Sequence, residues 1–256
     1  MYKLHGRNTL ISGAGHGIGE AIALRLADEG CNVAIFDRDG AAAERTAAAV
    51  RQKGRKAAVA TGDIGREEDV SKGMAALIGE LGHIDILVNN AGILRVGKLI
   101  ESSVKDWRDS FSTNVDGVFW SCRTVLPHMI ERRSGCVVNT ASWLGKRALA
   151  NYSSYCATKF AVVALTQSLA LEMAEHGIRV NAVAPGIIVE TRMRDESEEM
   201  HKCQGLPLAA ERAKTIPMGR PGLPNDVARL AAFLASDEAE YMTGQTVNIT
   251  GGLWLS

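Results

Sequence analysis

Short runs of apolar and β-branched residues alternate along the chain with longer segments whose apolar positions recur every three or four residues. The runs fall at 9–11, 33–36, 57–60, 86–88, 136–138, 178–180 and 247–249. Several are continuously apolar, the pattern of strands covered on both faces, as in a parallel sheet. The helical segments fall at 17–29, 41–53, 67–81, 115–131, 152–175 and 225–235; in the first of them Ile18, Ala21, Ile22 and Leu26 share one stripe. Repeated strand–helix alternation predicts right-handed crossovers and an open, doubly wound α/β parallel sheet flanked by helices. Ligands in such sheets bind beyond the carboxyl ends of the strands. The least regular stretch is 186–224, with Pro207, Pro217, Pro221, Pro224 and a mixed charge run over 192–202. It reads as a loop beside the ligand, either a solvated face or a mobile lid.

Composition narrows the class. The 256 residues carry 29 basic and 29 acidic side chains, so no bulk positive charge recommends a nucleic-acid partner. With 46% hydrophobic residues the chain has enough apolar content for a packed core. No linker, repeat or low-complexity tract divides it, and one domain over 1–256 is expected, with a substrate loop at about 186–224. No apolar run approaches the ~18–20 residues of a membrane span, and the first residues lack the apolar core of a secretory signal. A cytoplasmic protein with no membrane partner is expected. The five cysteines, Cys31, Cys122, Cys136, Cys156 and Cys203, form no C-x-x-C pair, so reduced thiols are expected, and neither a disulfide framework nor a metal site.

The first strand is followed by Ser12-Gly13-Ala14-Gly15-His16-Gly17-Ile18-Gly19 and then a helix. Glycines there permit a tight turn and let backbone N–H groups approach a pyrophosphate at the positive end of the helix. Asp37 closes the second strand, where a carboxylate accepts hydrogen bonds from ribose hydroxyls and repels a 2′-phosphate. Arg38 follows it and would attract that phosphate, but His16 stands in the loop where a fixed cation would favour it. NAD is therefore expected over NADP. Further along, Tyr155 and Lys159 are spaced to share one helix face. A phenol of pKa ~10 is a poor acid or base near neutrality. An ammonium ~4 Å away, at an effective dielectric of ~20, would favour the phenolate by about 4 kcal/mol. Tyr152 is a competitor, but Cys156 rather than a cation lies one turn beyond it.

Gly13, Gly17 and Gly19, then Asp63, Asn89-Asn90-Ala91-Gly92, Asn114, Ser142, Tyr155-x-x-x-Lys159 and Pro185-Gly186 occur in one order along essentially the whole chain. In that order they resemble the classical short-chain dehydrogenases/reductases. The resemblance implies a Rossmann-like fold and a catalytic set of Asn114, Ser142, Tyr155 and Lys159. Tyr155 would exchange the proton of a secondary alcohol, Ser142 orient its oxygen, Lys159 lower the Tyr155 pKa, and Asn114 hold a water in the relay. It further implies cofactor contacts from Gly13, Gly15, His16, Gly17, Ile18, Gly19, Asp37, Arg38, Asp63, Ile64, Asn90, Ala91, Gly92, Tyr155, Lys159, Pro185, Gly186, Ile188 and Thr191. The family usually has threonine where Glu190 stands; Thr191 comes one position later and would need a bulged loop to reach the cofactor.

For the substrate the expected contacts are Ser142, Trp143, Arg95, Asn151 and Arg192, near Leu94 and Leu149. A neutral polyol or sugar is the first expectation. Arg95, Arg147, Arg192 and Arg194 together would instead suit a small hydroxy acid or hydroxy-sulfonate. The nearest alternative is an NADP-linked reductase of 3-ketoacyl groups on a carrier protein, for which Leu171, before Glu172, stands where that group carries a basic residue. A non-catalytic NAD-binding sensor is a third reading. Apolar residues beyond one helix stripe, including Phe119, Trp120, Val163, Leu165 and Leu169, and the apolar end Leu253-Trp254-Leu255, suggest self-association. The resemblance implies a homotetramer, a dimer being the simpler symmetric case.

Overall fold

Seven parallel strands form one sheet in the order β3-β2-β1-β4-β5-β6-β7 in a computed structural model that describes Tyr2 and 4–256. The strands are β1 Asn8–Ser12, β2 Asn32–Asp37, β3 Ala57–Thr61, β4 Ile86–Asn89, β5 Gly135–Thr140, β6 Ile178–Pro185 and β7 Thr246–Ile249. Each expected run lies inside one of them. Successive residues send their side chains to opposite faces: Leu10 joins one core cluster and Ile11 the other. One cluster packs the sheet against α1 Gly17–Asp28, α2 Gly40–Gln52 and α9 Pro224–Ala235. The other packs it against α3 Glu67–Leu81, α5 Gly117–Arg132 and α6 Ser153–Met173. Two covered faces explain why the strands read as unbroken apolar runs.

The order of strands reverses between β1 and β4, where Ser12 lies in register with Asn89. The two crossovers leaving this point run to opposite sides and open a crevice at the carboxyl ends. Ser12 Oγ braces its floor, accepting from the N–H groups of Asn90 at 3.1 Å and Ala91 at 3.3 Å.

Three helices fall where none was expected. α4, Val104–Phe111, is mostly polar; Ser103 caps it by accepting from Asp106 N at 3.0 Å, and Trp107 stacks on Phe111 one turn later. The irregular stretch holds α7 Arg192–Cys203 and α8 Ala209–Ala213. The charge run of α7 is a solvated helix face, with Arg192 paired to Glu196 at 3.0 Å and Lys202 to Glu199 at 2.6 Å. Its inner stripe is Met193, Ser197, Met200 and His201, in helical phase but half of it polar, so a hydrophobicity pattern does not reveal it. Among the described residues no helix is long and apolar enough to cross a membrane.

The expected surface patch is redistributed. Val163, Leu165 and Leu169 pack on the core, and Leu253 and Trp254 close over an apolar cluster around Tyr155. Phe119, Phe160, Leu171 and Leu255 remain exposed. All five cysteines are free thiols, and only Cys203 reaches the surface.

Candidate active site

The crevice continues as a cleft of about 490 Å³ between the strand ends and α7. Its floor is the glycine turn between β1 and α1. Gly13 has φ +69°, and a Cβ there would stand 2.7 Å from Ala91 Cα. A Cβ on Gly19 would stand 2.0 Å from the Gly13 carbonyl oxygen, which also accepts from Asn90 Nδ2 at 2.9 Å. Only glycine lets the turn, α1 and the segment after β4 come this close. His16 precedes α1 without any side-chain cap, so the first-turn N–H groups of Gly17 and Ile18 face the cleft that both residues line. His16 also lines the cleft, 3.5 Å from Arg45 Nη2.

Asp37 stands at the end of β2. Gly15 N donates to its Oδ2 at 2.8 Å and Asp39 N to its Oδ1 at 2.9 Å. The carboxylate thus ties the glycine turn to the strand end while lining the cleft beside Arg38. Asp63 and Ile64 follow β3, with Asp63 Oδ1 accepting from Gly65 N at 2.9 Å and Ile64 pressed against Gly117. Asn90, Ala91, Gly92, Pro185, Gly186 and Ile188 line the rest of the same trough. Glu190 has φ +58°, a left-handed kink immediately before Thr191. Thr191 then caps α7, accepting from Arg194 N at 3.1 Å, and lies over Gly17.

These residues fit a dinucleotide. The first-turn N–H groups at the α1 N-terminus would meet a pyrophosphate beside the close-packed glycine turn, and an acceptor carboxylate sits a strand away.

Ser142 follows β5, and its Oγ accepts from Leu144 N at 3.1 Å, which fixes the side chain at the strand end. Tyr155 and Lys159 enter from the first two turns of α6. The Lys159 ammonium donates to Thr140 O at 2.7 Å and lies 5.7 Å from the Tyr155 ring centroid. Both side chains are buried. Burial pushes the Tyr155 phenol up to about 12, against a downward pull from the Ser142 hydroxyl and the Arg194 charge. Burial pushes Lys159 down to about 8. The phenol thus sits above its usual pKa rather than showing the expected drop. Desolvation opposes both charged forms and outweighs an attraction acting over this distance.

Asn114 lies in a π-helical turn, 112–116, between α4 and α5. Its Nδ2 donates to Ile93 O at 2.9 Å and to Thr158 Oγ1 at 3.0 Å, and its Oδ1 accepts from Ile93 N at 2.8 Å. Both amide hydrogens are therefore spent, and the side chain clamps the segment after β4 to α6.

The expected substrate contacts divide. Ser142, Trp143 and Arg192 line the cleft, with Arg192 Nε donating to Glu196 Oε1 at 3.0 Å. Arg95 and Asn151 do not line it. Arg95 is held away by Asp106, to which its Nε donates at 3.0 Å. Asn151 sits in a left-handed turn, φ +68°, with its carbonyl accepting from Gly97 N at 2.8 Å. Arg147 stacks over Trp254 at 4.8 Å. In their place the cleft holds Tyr152, Met193, Arg194 and Arg212. Helical phase places Arg194 near the inner stripe of α7, but nothing local in the sequence singles out Arg212.

A family model described as enoyl-(acyl carrier protein) reductase matches residues 13–254. The chain is 36% identical over 250 residues to a 3-oxoacyl-[acyl-carrier-protein] reductase of Staphylococcus epidermidis, covering 97% of this chain and 99% of that one. Levodione reductase superposes with a TM-score of 0.92 at 35% identity, covering 97% of each chain. An NAD+-bound xylitol dehydrogenase does so with a TM-score of 0.92 at 34% identity, covering 98% of this chain and 100% of the other.

Proposed function

The chain belongs to the classical short-chain dehydrogenase/reductase family of NAD(H)- or NADP(H)-dependent oxidoreductases, and from that premise we propose that it interconverts a secondary alcohol and its carbonyl compound with NAD. The substrate class is a polyol, a sugar, or a small hydroxy acid or hydroxy-sulfonate. The observation that carries this reading is the meeting of Ser142, Tyr155 and Lys159 at one end of a cleft floored by the glycine turn.

In this reading the turn from Gly13 to Gly19 cradles the pyrophosphate, with the first-turn N–H groups of Gly17 and Ile18 as its donors. Asp37 accepts from the adenosine ribose, with Arg38 beside it. Asp63 and Ile64 flank the adenine, and Asn90, Ala91, Gly92, Pro185, Gly186, Ile188 and Thr191 border the nicotinamide end. When bound, the dinucleotide would take up the hydride in oxidation or supply it in reduction. As phenolate, Tyr155 takes the hydroxyl proton in oxidation, and as phenol it returns the proton in reduction, with the Ser142 hydroxyl favouring the charged form. Ser142 donates to the substrate oxygen as charge develops on it. Lys159 favours the phenolate whenever it is protonated and hydrogen-bonds the nicotinamide ribose. Asn114 positions the α6 end of the site through Ile93 and Thr158. One domain carries both cofactor and substrate sites, and exposed Phe119, Phe160 and Leu171 support a homotetramer or dimer. Five free thiols support a reducing, cytoplasmic setting.

Preference for NAD rests on Asp37, whose charge opposes a 2′-phosphate. A second reading, reduction of carrier-bound 3-oxoacyl groups, is favoured by the carrier-protein reductase relatives. Against it, Leu171 offers an exposed apolar side chain, and Arg132 and Arg133 are engaged by Asp85 and by the Glu175 carbonyl. Initial rates at 340 nm with NAD+ and NADP+, over polyols, sugars, hydroxy acids and hydroxy-sulfonates, test the proposal. NAD+-linked turnover of one subclass is expected. Activity confined to carrier-bound substrates with NADPH would transfer the assignment to the second reading.

A further inference from the structure

The cleft end beside Tyr155 is built unlike a site for a neutral polyhydroxylated ligand. Its wall is apolar, made by Leu94, Trp143, Leu144 and Met193. Into it project two guanidinium groups, from Arg194 on α7 and Arg212 on α8. Arg194 is largely buried, its side chain 14% exposed. It is fixed by donating from Nε to Ile188 O at 3.3 Å and from Nη1 to Ser197 Oγ at 3.2 Å. Arg212 is fixed from the other side, donating from Nη1 to Tyr152 Oη at 3.1 Å.

Tyr152 is itself locked. His201 Nδ1 stands 2.7 Å from Pro207 O, and a carbonyl only accepts, so Nδ1 carries the hydrogen. In the neutral ring Nε2 is then an acceptor, and the Tyr152 hydroxyl donates to it at 2.5 Å. With Arg212 supplying its other contact, Tyr152 has no donor left for a substrate. This chain of bonds ties α6, α7 and α8 together and aims Arg212 into the cleft. Among the described residues neither the Nη2 of Arg194 nor that of Arg212 has a hydrogen-bond partner, so both remain able to donate.

The charges do not balance. Arg194 and Arg212 are close enough to repel each other, and the carboxylate beside them is Glu198, 3.8 Å from Arg194 Nη1. Glu198 is already committed, accepting from Ala209 N at 3.0 Å. Two fixed cations against one anion leave one positive charge shared by a largely buried Arg194 and a half-buried Arg212, an arrangement that an entering anion would neutralise.

We propose that Arg194 and Arg212 form a subsite for a single negative charge on the substrate, so that the oxidised alcohol is a hydroxycarboxylate and its product an oxocarboxylate. Two guanidinium donors from different helices match the two oxygens of a carboxylate. One surplus positive charge matches a monoanion and is overshot by a phosphate monoester. The inference rests on the dehydrogenase reading above and deepens it. It sets aside a neutral polyol or sugar as the preferred substrate.

The test uses the NADH-loaded protein and calorimetric titration with short straight-chain carboxylates from propionate to hexanoate. Their primary amides, alkyl sulfonates and alkyl phosphates of matching length are titrated alongside. For the best chain length the carboxylate should bind ~10- to 100-fold more tightly than its amide, the range of a charge-assisted hydrogen-bond pair. Arg194→Gln and Arg212→Gln should each collapse that ratio to within a few fold, while Arg212→Lys, which keeps the charge, should retain part of it. Equal affinity of acid and amide, a ratio that survives in both glutamine variants, or tightest binding of the phosphate would overturn the subsite. Turnover of 3-hydroxybutyrate and its amide with NAD+ runs in parallel. Carboxylate binding that depends on Arg212, without NADH formation from any alcohol, would remove the dehydrogenase reading and leave the subsite standing. Turnover of neutral alcohols with no acid preference would do the reverse.

Discussion

Lys159 lies one helical turn beyond Tyr155 on α6, with its ammonium 5.7 Å from the phenol ring centroid and 2.7 Å from the Thr140 carbonyl oxygen. Burial pushes the two groups in opposite directions on the pH scale, Tyr155 up to about 12 and Lys159 down to about 8. Each is driven toward its neutral form, so the Lys159 charge is held at a cost in the core.

That charge gives a stability signature. Burial lowers the Lys159 pKa to about 8 in the folded protein, against 10.5 for a solvated lysine in the unfolded chain. Between these values the unfolded state binds more protons, so this residue's contribution rises with pH; it is full above 10.5 and lost as pH falls through 8. Other groups, including Cys31 and Cys122 with thiols raised to about 11 and about 12, act in the opposite sense at alkaline pH. The difference between Lys159→Met and the wild type removes them. In urea titrations the variant's advantage should shrink by about 3 kcal/mol from pH 8 to 10.5. A difference independent of pH would contradict a depressed lysine.

Tyr155→Phe keeps the ring that packs in the apolar cluster and removes only the hydroxyl. Turnover should fall by ~10³-fold or more, the scale of losing a positioned acid/base. NADH affinity, read by fluorescence titration, should change less than threefold or so, because the cradle lies elsewhere. Retained turnover would shift the proton to another group.

Asp37→Ser removes the charge at the end of β2 but leaves a short acceptor. The ratio of NAD+ to NADP+ specificity should fall by ~10-fold or more, since a hydrogen bond to a charged group contributes about 1.5–3 kcal/mol. The Gly15 and Asp39 N–H groups also lose a partner, so the melting temperature should fall as well. An unaltered cofactor ratio in steady-state kinetics would count against Asp37 as the selecting residue.

Gly19→Ala places a methyl 2.0 Å from the Gly13 carbonyl oxygen, backbone against backbone, with no flexible side chain to yield. Relief requires α1 to move off the turn. A loss of about 2–4 kcal/mol in denaturant titration is expected, together with loss of NADH binding. Gly79→Ala, where a Cβ meets nothing within 4 Å, is the matched control on the exposed face of α3 and should be neutral or mildly stabilising.

The parts of the site legible in the sequence share one property: their geometry is local. Gly13 to Gly19 form one turn, and Tyr155 and Lys159 are one helical turn apart on α6. The unbroken apolar strands likewise announce a sheet covered on both faces, because each strand reports its own burial. Arg95 and Asn151 misled because closeness to a strand end in sequence says nothing of direction; Asp106 turns the first away and a left-handed backbone the second.

Tertiary structure decided what depends on partners distant in the chain. Tyr152 meets Arg212 across 60 positions and His201 across 49, and no period of two or 3.6 links such residues. The inner stripe of α7 escaped notice because Ser197 and His201 are buried polar groups, stable there only through the bonds that the assembled fold supplies. The pKa values belong to the same level: spacing puts a cation beside a phenol, but burial of both, which only the closed core creates, moves them toward neutrality. By itself, then, the sequence determined the parallel sheet, the cradle and the Tyr155–Lys159 pair, since short-range sterics and burial patterns suffice for these. The shape and charge of the substrate end came from the packing of α7 and α8 over the cleft, because long-range contacts set which side chains are desolvated together.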